Sequence, residues 1–561
     1  MAKGSIGDGG AEIHRLGRRI FGDDLGLAVL RGDVLVNAGF AADQLAESHV
    51  LEGDIALGER KGGRVNHELD RSISGSAAGA DHRAFAKLAP GLEALVDAVL
   101  DLDDEIVVRT VIVVPWHDGC LVDSIIPHPS LNDPTRTADV VIVGGGAAGL
   151  ATAIFAARAL RKDHAPTRAP RIVLLDGART LGAKILVSGG SRCNVTNAHV
   201  DTADFWRSGS PFVRQVLRAL PVSETISFFD GIGVTLKEEP LGKLFPITNK
   251  SRTVLDALLR ETNRLGVEIH TASRVNGLVR EAEGWRLLCP HGDWTAKRVV
   301  LATGGLSLPK TGSDGFGYEM ARQQGHAIVP TTPALEPLIL GGDFHAPLSG
   351  IAHEAALRVS RTGEKPVDIR GSLLWTHFGV SGPLALNASR FMRRARIDGA
   401  AATLLLSFVP GHSAEDIDKE LIVAAREQPH LHLATELGRG WGLTQAIATR
   451  LAVRACGQDE ALSKLTREKR LAVVRALTAF PLEVIDGRGY NFAEVTSGGV
   501  PLSEVNPKTM ESRLVQGLHF VGEILDVDGR IGGFNFQWAW STGKVAGEAI
   551  SRASADSFNL R

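Results

Sequence analysis

The stretch "GGGAAG" places Gly144, Gly146 and Gly149 at G-x-G-x-x-G spacing, directly after the β-branched run "VVIV" and before an alanine-rich segment. In that context the glycines have separate roles. The first turns the chain, the second lets a pyrophosphate approach the backbone, and the third lets a helix pack on its strand. The helix N-terminus then presents unpaired N–H groups and the positive end of its dipole to the anion. Asp176 ends the next strand-like run, "RIVLLD", where a carboxylate can hold ribose hydroxyls. Its distance from Gly144 exceeds the usual spacing of about 20 residues, and "RKDHAPTRAP" reads as an insertion in the crossover that accounts for the excess.

Two further segments narrow the dinucleotide. "LATGG" is a second strand-to-glycine turn carrying Thr303 and Gly304, and "VGEILDVDGRIGGFN" sets Gly522, Glu523, Asp526 and Asp528 ahead of Gly532, Gly533 and Asn535 at a helix start. This layout resembles the two-part FAD site of glutathione-reductase-like flavoproteins. Reduced flavin carries negative charge near N1 and O2, which a helix N-terminus at Gly532 and Gly533 can stabilise. Val275 joins the expected cofactor-binding positions. With no second fingerprint for a separate nicotinamide domain, NAD(P)H would dock transiently beside the flavin.

Between these segments runs "GAKILVSGGSRCNVTN". Its glycines and serines allow backbone to lie flat against a planar ring, Arg192 can place charge near pyrophosphate or flavin O2, and Asn194 and Asn197 can hold polar edges. Cys193 has two readings. A thiol of ordinary pKa, roughly 8.5, keeps its proton at neutral pH and could serve as general acid for hydride transfer to a C=C bond; a free cysteine also commonly just packs a loop. His377, in "THFGVSGP", is either a donor to a substrate carbonyl or a structural histidine. Lys184 either neutralises phosphate or coats the surface. Trp538 and Trp540 sit beside Ala539, Gly543 and Ala546, a helix-packing pattern first and a flavin-stacking one second. "RFMRRAR", with Arg390, Arg393, Arg394 and Arg396, is the densest positive cluster, either a solvated face or a grip on an RNA backbone.

The elements that must position these residues follow from periodicity. From Asp139 the order is strand, glycine turn, helix, strand, the opening of an α/β doubly wound sheet. A helix over 254–265, hairpin-like strands to about 290 and the buried run "RVVLATGG" return the chain to that sheet. We expect a first part of the nucleotide domain at 138–327, a β-rich insert at 328–412, a helical insert at 413–482 opening on the Ser-x-x-Asp cap of "SAEDIDKEL", and the second part at 483–561. Residues 1–137 carry no chemical motif. They read as a poorly ordered or doubtfully expressed extension, or as a small partner-binding domain.

Bulk properties bound the rest. At 561 residues, several domains are expected. A net charge of −2 gives no global attraction to nucleic acid, leaving only local faces for that purpose. Four cysteines without a CxxC pair argue against a disulfide framework or a zinc knuckle, so no metal is expected, and they suit a reducing cytoplasm. The apolar run "VVIVGGGAAGLATAIFAA" is nearly long enough to span a bilayer, but its four glycines mark a strand–turn–helix instead. No membrane span or secretory signal is expected.

Six motifs in order, "GAKILVSGGSRCNVTN", "FPITNKSRTVLDALL", "LATGGLSLPKTGSDGFGY", "LLWTHFGVSGP", "VTSGGVPLSEVNPKTMES" and "GEILDVDGRIGGFNFQWAWSTG", resemble the BaiN/RdsA family of NAD(P)/FAD-dependent oxidoreductases, also called YhiN-like flavoproteins. The resemblance covers residues 138 to about 550. Ser191 stands where the family usually has a third glycine, and Asp176 where it more often has Glu. The resemblance implies a Rossmann-like FAD domain interrupted by a β-rich, barrel-like subdomain and a small helical one. It implies flavin chemistry on uridine of large-subunit ribosomal RNA, reduced to dihydrouridine. The alternatives are an oxidase or enone reductase acting on a small-molecule substrate, or a non-catalytic flavin-stabilised ribosome-binding protein.

Overall fold

The computed structural model describes residues 136–162, 170–206 and 210–558, residues 552–558 by backbone alone, and four short strands further upstream. Those strands form two antiparallel pairs, Leu92–Leu95 with Ile112–Pro115 and Ala98–Leu100 with Ile106–Val108. The remaining expectations for residues 1–137 fall outside the described residues, save for the first residues of the sheet described next.

The nucleotide domain is built on β1 (Thr137–Val143), which continues through the glycine turn into α1 (Ala147–Lys162). β1 is flanked by the parallel strands β2 (Ile172–Leu175) and β3 (Trp294–Leu301); Glu268–His270 adds beyond β2. On its other edge β3 pairs with two partners: a hairpin strand, Gly284–Leu288, along its first half, and β4 (Leu518–Phe520), parallel, along its second. Val140 to Val143, Ile172 to Leu175 and Val299 to Leu301 are buried, as strands covered on both faces require. The closing helix α2 (Phe534–Phe558) lies against α1. Their approach is close because a Cβ on Gly543 would come 2.8 Å from Ala151 Cβ and one on Gly547 2.6 Å from Ala156 N.

The insert leaves through Val329–Ala334 and returns through Val495–Gly499, and these two strands pair antiparallel at its base. Between them is a seven-stranded antiparallel sheet running, edge to edge, Phe480–Leu482, Ala402–Ser407, Ala352–Arg361, Val367–Thr376, Gly379–Ser381, Leu338–Leu340 and Val484–Gly487. The edge strands are separated in sequence only by Glu483, so the sheet must curl until its edges meet. Four helices, Ala414–Glu427, Leu433–Trp441, Gln445–Cys456 and Arg467–Thr478, share the sheet's hydrophobic core. Ser413 Oγ accepts from Asp416 N at 3.1 Å, capping the first of them. Sequence periodicity suggested a helical insert following a β-rich one and a return at 483. The structure instead nests the helices inside one insert with one core, because the strands at 480–487 complete its sheet.

Candidate functional site

A cavity of about 1340 Å³ opens at the C-terminal ends of the parallel strands, where Val143, Leu175, Ala302 and Val521 mark the strand ends. That is where open α/β sheets place their ligands. The fingerprint behaves as its spacing suggests. Gly144, at φ +107°, has no room for a side chain, since a Cβ would lie 2.5 Å from Ala302 O. A Cβ on Gly149 would overlap the Gly144 carbonyl oxygen, whereas one on Gly146 would meet nothing within 4 Å. Gly144 and Gly146 line the cavity, and Gly149 packs behind them. Asp176 reaches the wall and braces the turn, accepting from Gly145 N at 2.6 Å and Ala178 N at 2.7 Å.

Lys184, Arg192, Asn194, Val275, Thr303, Gly304, Gly522, Glu523, Gly532, Gly533 and Asn535 also line this cavity. Lys184 neither coats the surface nor stands free. Its Nζ donates to Glu523 Oε2 at 2.7 Å and to Ser307 Oγ at 2.5 Å, while Glu523 Oε1 accepts from Thr496 N at 2.9 Å. Arg192 pairs with Glu239 at 2.9 Å and lies 4.0 Å from the Phe245 ring centroid. Asn535 clamps the closing loop by bonding both the N–H and the carbonyl of Gly529. Asn197 binds that loop from the other side, donating to Gly532 O at 3.0 Å. Trp538 and Trp540 are buried, with indole N–H groups on Gly522 O and Val195 O, so both tie segments together; Trp538 also contributes to the wall.

Four expected positions lie elsewhere. Asp526 and Asp528 sit behind Val527, buried at 3% and 1% exposure. Asp528 forms an ion pair with the buried Arg390 of the insert, whose Nη2 also donates to the Asp528 carbonyl. Cys193 is fully buried behind the wall formed by its neighbours, and burial pushes its thiol up to about 12. His377 is exposed off the wall, edge-on to Phe378. Replacing Cys193 with Ala should therefore leave turnover within about threefold of wild type at a stability cost of about 1 kcal/mol, measured by steady-state rate and thermal unfolding.

The other arginines of "RFMRRAR" are paired within the fold. Arg393 bridges Glu336 and Asp486, Arg396 also takes Asp486, and Arg394 donates to Pro330 O and faces Asp398. They form neither a free basic grip nor a merely solvated face. Ser191 holds φ +65°, a left-handed conformation that glycine adopts more readily than serine.

The wall also carries Lys243, Lys310, Phe492 and Glu494, which sequence reasoning missed. Phe492 is 46% exposed, with the Arg488 guanidinium 3.4 Å from its centroid; Arg488 also stacks on Phe378. Glu494 is open to water in the cavity yet closely surrounded by protein, so desolvation raises its pKa despite Lys184 and Lys243. The one available signal was its place at the head of the motif "VTSGGV".

Compared with known proteins, residues 138–549 match the HI0933-like protein Rossmann domain. The chain belongs to this family. It is 32% identical over 410 residues to the 3-dehydro-bile acid delta(4,6)-reductase of Clostridium scindens, covering 73% of this chain and 98% of that protein. It is 31% identical over 417 residues to the ribosomal RNA dihydrouridine synthase of Escherichia coli, covering 74% and 99%, and 32% identical to that of Haemophilus influenzae, covering 73% and 98%. The family makes the chain an FAD-dependent oxidoreductase, and the cavity fits that cofactor. Gly146 leaves backbone open beside the N-terminus of α1, and two buried polar atoms, Asn194 Oδ1 and Thr303 Oγ1, lack partners on residues that line the cavity. Among the described residues no helix is long and apolar enough to cross a membrane, and no His, Cys, Asp and Glu group is placed to hold a metal.

Proposed function

We propose that this enzyme, charged by NAD(P)H, reduces a carbonyl-conjugated C=C bond, with uridine in large-subunit ribosomal RNA as its substrate. The carrying observation is the cavity. At about 1340 Å³ it exceeds the roughly 300–1,000 Å³ of a pocket for one drug-sized ligand, which supports a site that takes a dinucleotide together with a substrate. When bound, FAD supplies hydride exchange. The chain's residues do the rest: Gly144, Gly146 and the α1 N-terminus hold the pyrophosphate, Asp176 the ribose, and Asn194 and Thr303 polar edges. Phe492, stiffened by Arg488, offers a face on which a base extracted from its stack can lie, while Lys243 and Lys310 provide positive charge for phosphates.

The named chemistry of the relatives supports the bond type, since a bile-acid delta(4,6)-reductase and dihydrouridine synthases each saturate a C=C bond. A second reading, a reductase of a small enone, is favoured by the internal pairing of the insert's arginines. Digestion of large-subunit ribosomal RNA followed by mass spectrometry separates the two. Deleting the gene should abolish one dihydrouridine, and restoring the full chain should return it; unchanged dihydrouridine removes RNA as the substrate.

A further inference from the structure

The acids on the cavity wall differ in what their oxygens do. Asp176 and Glu523 accept hydrogen bonds on both carboxyl oxygens, and Asp314 is ion-paired to Arg274 at 2.6 Å and accepts from Phe316 N. Glu494 is the exception. Its backbone is fixed by Glu494 N donating to Leu335 O at 3.2 Å, but its carboxyl has no hydrogen-bond or ion-pair partner among the described residues. The charged groups facing it are Lys184, from the helix Ala183–Ser191 and already paired with Glu523, and Lys243, from the strand Lys243–Pro246.

We infer that Glu494 donates the proton that completes reduction of the substrate C=C bond. This rests on the reductase reading above. Two new C–H bonds replace the π bond. Bound reduced FAD would supply the hydride for one carbon and be oxidised by two electrons; the proton for the other carbon comes from the Glu494 carboxyl. The resulting carboxylate lies near two ammonium groups and regains its proton from water in the cavity. A carboxyl surrounded by protein favours its neutral form, so it holds the proton at pH values where a glutamate in water has lost it. Donation requires the protonated form, so the rate falls as pH rises through the Glu494 pKa.

The test uses the FAD-loaded full chain, as wild type and Glu494→Gln, with flavin content and thermal unfolding confirming that both fold. The first readout is flavin absorbance against pH with no acceptor present. Wild type should show a step above the ordinary glutamate range, which Glu494→Gln lacks. The second is rapid mixing of pre-reduced enzyme with either a 3-oxo-4,6-diene bile acid or large-subunit ribosomal RNA from the deletion strain. With both proteins reduced beforehand by dithionite, Glu494→Gln should be reoxidised by the acceptor about a hundredfold or more slowly than wild type. Reoxidation within about threefold of wild type overturns the inference, as does a step absent from wild type or unchanged in Glu494→Gln. If neither acceptor reoxidises wild type, the reductase reading fails by itself, and the absorbance step still decides whether Glu494 holds the proton.

Discussion

Arg390→Ala should cost about 3–5 kcal/mol of stability and release much of the bound FAD. Arg390 is a buried cation on the insert helix Gly382–Ile397, and its partner Asp528 is 1% exposed. Two charges so enclosed are tolerable only together; removing one leaves the other desolvated and unpaired. The truncation also removes the guanidinium stacked 5.5 Å from the Trp206 ring centroid. The consequence reaches the cavity because Asp528 lies in the loop whose Val527, Ile531, Gly532 and Gly533 line it. Asn387 of the same helix holds this loop too, accepting from Ile531 N at 2.9 Å. Thermal unfolding and flavin absorbance per chain report the two effects. Adding Asp528→Asn should recover part of the loss. An Arg390→Ala protein as stable as wild type would show that the pair is not what fastens insert to loop.

That ion pair marks where sequence reasoning reached its limit. The fingerprint was readable because its physics is local: a strand, three glycines at fixed spacing and a helix start lie within a dozen or so residues. Asp526 and Asp528 look like flavin ligands on the same local grounds, being acids ahead of a Gly-Gly at a helix start. What redirects Asp528 is Arg390, brought in from a distant segment by the folding of the insert. The arginine cluster shows the same effect in reverse, since Glu336 and Asp486, which neutralise it, lie far off in sequence. Cys193 and Glu494 turn on direction rather than distance. Left-handed geometry at Gly189, Gly190, Ser191 and Cys193 places Arg192 and Asn194 on the wall and the thiol behind it. Ala493, Glu494 and Val495 all line the cavity, but Glu494, at a bend just before the strand Val495–Gly499, is exposed there while its two neighbours are buried.

Gly149→Ala should destabilise the nucleotide domain by about 3 kcal/mol or more and leave the protein without flavin. The added methyl would overlap the Gly144 carbonyl oxygen, come 3.1 Å from its carbon and lie 3.3 Å from Ala302 Cβ. None of these neighbours can retreat cheaply. Gly144 N donates to Leu175 O at 2.8 Å and Ala302 N to Val143 O at 2.8 Å, which ties both to the sheet. Nor can α1 move away, because α2 already approaches it as closely as Gly543 and Gly547 permit. Gly146→Ala separates folding from binding. Its methyl meets no atom within 4 Å, so unfolding should shift by less than about 1 kcal/mol, yet it enters the cavity space where the pyrophosphate must approach the backbone. The expected pair of outcomes is a Gly149→Ala chain that unfolds early and carries no flavin, and a Gly146→Ala chain that unfolds normally but retains FAD weakly. A Gly146→Ala protein that retained FAD as tightly as wild type would move the pyrophosphate away from this turn, and with it the basis for placing the flavin along the rest of the cavity.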